Sequence, residues 1–119
     1  MYSAAVLDHF QNPRHAGTLA DPTASIQVSN PVCGDVLELS VRVEEGRIID
    51  ARFRIRGCVT SMACSSLLTE LVIDKSTDEL RSITPQRISD QLGGLPPATF
   101  HGAQLACAAV TELLRKLGR

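Results

Sequence analysis

The chain has 119 residues, of which 44% are hydrophobic, 21% charged and 3% aromatic, with no tryptophan and a net charge of -1. That length fits one domain, residues 1–119, with a core packed from aliphatic side chains and no separate catalytic domain. The near-neutral charge excludes a general affinity for nucleic acid. No apolar run is long enough to cross a membrane, and the amino terminus lacks the basic-then-apolar pattern of a secretory signal. A cytoplasmic protein is expected, and there four cysteines serve as ligands, nucleophiles or core fillers sooner than as disulfides.

Ala4 to Phe10 predicts a short amphipathic helix that stops at Asn12-Pro13, because proline disfavours helical geometry in the residue before it. A polar stretch with Gly17 and Pro22 follows, then a weak strand signal in which Ile26 and Val28 alternate with Gln27 and Ser29. The next signal is stronger. Leu37, Leu39, Val41 and Val43 alternate with Glu38, Ser40 and Arg42; beyond Glu44-Glu45-Gly46-Arg47, Ile49, Ala51, Phe53 and Ile55 alternate with Asp50, Arg52, Arg54 and Arg56. Two such runs read as an antiparallel hairpin with one buried face.

Cys33 stands just before the first of these strands, in Asn30-Pro31-Val32-Cys33-Gly34-Asp35, and Cys58 just after the second, in Arg56-Gly57-Cys58. The start of one strand and the end of the next share one end of an antiparallel pair, so the two thiols are expected to be neighbours. Pairing inward residues with inward residues sets Leu39 opposite Ala51 or Phe53. Extrapolation then places Cys33 opposite Gly57 or Val59, unless a bulge near the turn shifts the count by one.

After Cys58 the period becomes helical through Met62, Ala63, Leu67, Leu71 and Val72, with Thr60 or Ser61 expected as the amino-terminal cap. Cys58 thus falls at a strand-to-helix junction, where a helix amino terminus favours negative charge on its sulfur. Ser76 and Glu79 have capping-box spacing, Thr84-Pro85 opens a further short helix and Gly93-Gly94 closes it. Leu95-Pro96-Pro97 reads as an extended connector. A last helix is expected from about Gly102 to Leu117, with Leu105, Ala109, Leu113 and Leu117 on one face and His101 at its amino-terminal edge.

Two thiols, the Asp35 carboxylate and the His101 imidazole are the donor types that bind a borderline-soft metal such as zinc or iron. Each has a plainer reading. Single core cysteines are usually buried small residues, but Cys33 and Cys58 adjoin glycine at the same end of one hairpin, which favours a site. Asp35 fits an Asx-type turn with Gly34 equally well, and His101 taken alone reads as a helix-terminal residue with a satisfied hydrogen bond. Cys64 and Cys107 each lie six residues beyond a candidate ligand, and six helical steps rotate a side chain about 120°. Both are therefore expected to be core fillers. Arg52, Arg54 and Arg56 are expected on a solvated sheet face, docking of an acidic partner being the less favoured use. The sequence has no phosphate-binding glycine loop, no nucleophile elbow and no Cys-x-x-Cys pair.

The opening Tyr2-Ser3-x-x-Val6-x-Asp8-His9-Phe10-x-Asn12-Pro13-Arg14-x-x-Gly17, then Cys33-Gly34-Asp35, Asp50-Ala51-Arg52-Phe53, Gly57-Cys58 and Leu95-Pro96-Pro97 before His101, together resemble the IscU/NifU-type iron-sulfur cluster scaffold proteins. The resemblance runs in order over nearly the whole chain. It implies an α+β fold, a three-stranded antiparallel sheet with helices packed on one face. It also implies a carrier rather than a turnover enzyme: transient assembly of a 2Fe-2S cluster from iron and from sulfur delivered by a cysteine desulfurase, for transfer to apo iron-sulfur acceptor proteins. Carried over by position, Cys33 and Cys58 match cluster-ligand cysteines, Asp35 the aspartate that tunes cluster stability and release, and His101 the histidine preceding a third cysteine.

That third cysteine is Gly102 here, and the family's Leu-Pro-Pro-Val-Lys chaperone segment continues as Leu95-Pro96-Pro97-Ala98-Thr99. The missing thiol is, in the family, both a ligand and a main acceptor of incoming persulfide; the missing lysine weakens the case for an Hsp70-type chaperone. Three readings follow. The first is a divergent scaffold holding iron or a transient cluster on Cys33, Asp35, Cys58 and His101, whose mixed ligation suits a cluster meant to be handed on. The second is a zinc protein that uses the same four residues as a tetrahedral site and regulates or competes for a desulfurase. The third is a degenerate member retaining only the partner-binding surface.

Overall fold

Alternation along the sequence becomes a sheet with one apolar face. Strands β1 (Ala24–Asn30), β2 (Asp35–Glu44) and β3 (Arg47–Arg56) pair antiparallel in the order β1-β2-β3. The computed structural model describes residues 2–31 and 34–118. Leu37, Leu39 and Val41 of β2 and Ala51 and Phe53 of β3 are buried on the inner face, while Arg54 and Arg56 project outward and are exposed. Leu39 stands opposite Phe53, one of the two expected registers.

The register shifts between Arg42 and Val43: Arg42 pairs with Asp50 but Val43 pairs with Ile48. The bulge leaves Ile49 without a counterpart and reverses which isoleucine faces the core. Ile48 is fully buried and Ile49 is 36% exposed, correcting the alternation that placed Ile49 inward. The hairpin turn itself has Glu45 and Gly46 at φ 52° and 75°, the double positive φ of a two-residue turn whose twist matches the strands.

Among the described residues four α-helices, α1 (Ala4–Gln11), α2 (Val59–Val72), α3 (Pro85–Gln91) and α4 (His101–Lys116), accompany the sheet, with single 3-10 turns at Glu79–Ser82 and Pro97–Thr99. Helices α2 and α4 lie against the inner face and against each other, and α1 packs on α2. Burying their apolar faces supplies the main drive for this layer. The expected caps at Thr84 and at the Ser76–Glu79 pair are formed, the latter as two reciprocal bonds of 3.2 Å. The cap of α2 is different. The helix starts at Val59 and its cap is Cys58, not Thr60 or Ser61, which are buried in the first turn. Likewise α4 begins at His101 itself, and the connector before it tightens into the Pro97–Thr99 turn.

Candidate metal centre

Three elements deliver one donor each to the same end of the sheet. Asp35 is the first residue of β2, Cys58 caps α2 immediately after β3, and His101 opens α4. The pairing of Val36 with Arg56 puts the Asp35 and Gly57 positions side by side at that end. A Cβ built on Gly57 would lie 2.8 Å from both Cγ and Oδ1 of Asp35, so the absent side chain is what leaves room for the carboxylate. His101 Nε2 is 3.6 Å from Asp35 Oδ2 and 3.9 Å from Cys58 Sγ, and the three donor atoms all lie within 4.8 Å of one another.

Donors bound at about 2.0–2.3 Å in a tetrahedral shell stand roughly 3.3–3.8 Å apart. The separation of 3.6 Å from His101 to Asp35 falls in that range and that of 3.9 Å to Cys58 lies just above it, and sulfur, nitrogen and oxygen donors suit iron or zinc better than magnesium or calcium. Asp35 is 4% exposed, whereas Cys58 is exposed at the rim. The centre thus has a buried carboxylate floor and a solvent-facing sulfur. Cys33 lies outside the described residues.

Ser61, which the sequence reading considered only as a helix cap, ties the donors together. Its hydroxyl donates to Asp35 Oδ2 at 2.5 Å, and its backbone N–H reaches Cys58 Sγ at 3.4 Å. The Cys58-x-x-Ser61 spacing is the signal that finds the second contact, since a cap accepts from the residue three positions on; nothing in the sequence announces the first. A hydrogen-bonded partner is what a buried carboxylate requires, and among the described residues no buried side-chain nitrogen or oxygen is left without one.

The replaced third cysteine also has a structural counterpart. A Cβ on Gly102 would lie 3.2 Å from Ser61 Cα and 3.3 Å from both Ser61 N and Cys64 Sγ, so α4 approaches α2 more closely than a side chain at this position comfortably permits. Cys64 is fully buried beneath that contact, and burial, with the neighbouring Cys58 adding to it, pushes its thiol up to about 12. Cys107 is half-buried with its sulfur 3.8 Å from the Ile83 carbonyl, and burial pushes it up to about 11. Both keep their protons at neutral pH, which disfavours them as metal thiolates.

A second polar cluster fixes α1 rather than forming a site. Ser66 Oγ accepts the Arg14 N–H at 2.8 Å and shares a second hydrogen bond of 2.8 Å with His9 Nδ1, while His9 Nε2 lies 3.5 Å from Glu70. Burial, assisted by the nearby Arg14 charge, holds His9 below its ordinary value despite Glu70 and Asp8. On the outer sheet face, Arg52 bonds to Asp50 and Arg54 stands 3.9 Å from Glu38.

Comparison with known proteins agrees with the geometry. A sequence model described as the NifU-like N terminal domain matches residues 1–117. The chain is similar to an iron-sulfur cluster assembly scaffold protein IscU of Archaeoglobus fulgidus, with 39% identity over 123 aligned positions that cover 100% of this chain and 80% of that protein. It is also similar to the protein of the same description from Escherichia coli K12, with 42% identity over 113 positions, 92% of this chain and 88% of the relative. The crystal structure of a nitrogen-fixing NifU-like protein (N-terminal) from Brucella abortus has the same fold, with a TM-score of 0.65 at 24% identity over 94% of this chain and 79% of that one.

Proposed function

The chain belongs to the NifU-like N-terminal domain family, and from that premise we propose that it is an iron-sulfur cluster assembly scaffold, a carrier that receives iron and sulfur and passes a 2Fe-2S cluster on. The observation that carries the reading to particular residues is the convergence of Asp35, Cys58 and His101 within 4.8 Å in a chain whose relatives are named as scaffold proteins.

Iron and the cluster are cargo here, so their ligands must both hold and release them. Cys58, exposed at the rim, is the accessible sulfur donor. Asp35, buried at 4% exposure, is the oxygen donor and His101 the nitrogen donor. Cys33, two positions before Asp35 in the sequence, is proposed as the second thiolate on the strength of the family pattern. Replacing a thiolate by oxygen or nitrogen weakens the hold on iron, which suits cargo that must leave. The sulfur source fitting this reading is a cysteine desulfurase and the recipients are apo iron-sulfur proteins. An Hsp70-type chaperone is not proposed, because Leu95-Pro96-Pro97-Ala98-Thr99 lacks the lysine on which such recognition was expected.

Zinc suits the same donors, and a zinc-dependent regulator of a desulfurase is the second reading; the names of the relatives favour the first. The discriminating experiment loads the protein anaerobically with iron, cysteine and a desulfurase, then mixes it with an apo-ferredoxin. The scaffold reading expects the acceptor to gain its cluster absorption as the donor loses its own. A loaded protein that never yields its cluster to the acceptor overturns the carrier role.

A further inference from the structure

We infer that Ser61 is a positioning residue of this centre, holding Asp35 in place to take metal; the inference rests on the reading that Asp35, Cys58 and His101 bind a metal. Ser61, in the first turn of α2, contacts two of the three donors and lies beside the start of the helix that carries the third. Its hydroxyl donates to Asp35 Oδ2 at 2.5 Å, the same oxygen that lies 3.6 Å from His101 Nε2. Its backbone N–H meets Cys58 Sγ at 3.4 Å and its Oγ stands 3.3 Å from the same sulfur. Its Cα and N are the atoms that a Cβ on Gly102, the neighbour of His101, would meet at 3.2 and 3.3 Å.

A plainer role for a buried helical serine is to bond back to the carbonyl one turn earlier. Ser65, four positions on, does that, with its hydroxyl 2.9 Å from the Ser61 carbonyl. Ser61 instead gives its single proton to a carboxylate on another element, 26 residues away in sequence. At 1% exposure no bulk water replaces that bond. A short hydroxyl-to-carboxylate bond is among the stronger hydrogen bonds available, and a carboxylate oxygen has a further lone pair left for a metal. Fixing a ligand in this way is how the groups behind metal ligands raise affinity, and their removal typically costs about 10–100-fold.

Cobalt(II), titrated under anaerobic conditions against a competing chelator, tests this on the whole chain. Ser61→Ala is expected to bind one cobalt per chain about 10–100-fold more weakly than wild type, with altered d–d bands that a purely structural role would not produce. In an Asp35→Ala background the same substitution is expected to change affinity by less than about twofold, because its effect is transmitted through Asp35. Ser61→Thr, which keeps the hydroxyl, is expected to retain wild-type bands. Unchanged or tighter cobalt binding by Ser61→Ala, or an equal loss without Asp35, overturns the inference while leaving the metal reading intact. A wild type that takes up no cobalt overturns both.

Discussion

Asp35 occupies the space that a side chain at position 57 would need: a Cβ there would lie 2.8 Å from the carboxylate carbon and from Oδ1. The Gly57-Cys58 dipeptide is therefore a packing requirement as well as a ligand signature, because the glycine admits the acid that sits beside the thiol. Gly57→Ala should drive the carboxylate off Ser61, with destabilisation of about 1–3 kcal/mol from overpacking and weakened metal binding. Urea unfolding and cobalt titration read the two effects separately; a variant normal in both contradicts the placement of Asp35.

Position 102 carries the complementary constraint. Restoring the family's cysteine there adds a Cβ at 3.2–3.3 Å from Ser61 and from the buried Cys64 sulfur. Overpacking of this kind costs about 1–3 kcal/mol, and the gain from replacing a helical glycine returns roughly 0.5–1 kcal/mol. Gly102→Cys and Gly102→Ala should therefore both be less stable than wild type by about 1 kcal/mol, since the clash belongs to the Cβ and not to the sulfur. Equal or higher urea midpoints would show that α4 can move away from α2 without loss.

Acid should loosen the seat of α1. His9 is held below its ordinary value of 6.5, first by burial and then by Arg14, so below that pH the unfolded chain binds a proton that the folded chain refuses. Stability from this residue is complete above about pH 6.5 and falls as pH drops, levelling off only below the lowered folded value. The melting temperature of wild type should consequently fall more between pH 7.5 and about pH 5.5 than that of His9→Gln. Ser66, Arg14, Glu70 and Asp8 surround the ring, and none of them belongs to the candidate centre. Parallel acid profiles for the two proteins would remove His9 as the cause.

The described thiols should differ in reactivity by burial. Cys58 is exposed, Cys107 half-buried and Cys64 fully buried, and burial raises the last two to about 11 and about 12. Because the thiolate is the reacting form, iodoacetamide at neutral pH should label the Cys58 peptide first and the Cys64 peptide last, as read by mass spectrometry. Early labelling of Cys64 in the folded protein would contradict its burial under Gly102.

Much of the fold was legible because it rests on local rules. Alternation of Leu37, Leu39 and Val41 against Ala51 and Phe53 sets the hairpin, and Ser76 with Glu79 or Thr84 before Pro85 mark helix starts through bonds only three residues apart. A bulge near the turn was an open alternative, but that it would exchange Ile48 for Ile49 on the inner face was not legible, since both are isoleucine and only pairing distinguishes them. The cap on α2 was misplaced because sulfur is a weak acceptor, so Thr60 and Ser61 looked better than Cys58. At the centre, the hairpin brings Asp35 and Gly57-Cys58 to one sheet end. His101 lies 43 residues beyond Cys58 and was placed only by family resemblance. The Ser61–Asp35 bond depends on tertiary packing that no spacing encodes.

Whether these residues assemble an iron-sulfur cluster is decided by anaerobic reconstitution of wild type and Cys58→Ala with ferrous iron, cysteine and a cysteine desulfurase, followed by visible absorption. Sulfide-to-iron charge-transfer bands are expected in the wild type and lost in Cys58→Ala, with both proteins folded by circular dichroism. A folded wild type that develops no such bands, or a Cys58→Ala protein that develops them in full, would contradict cluster assembly by these residues.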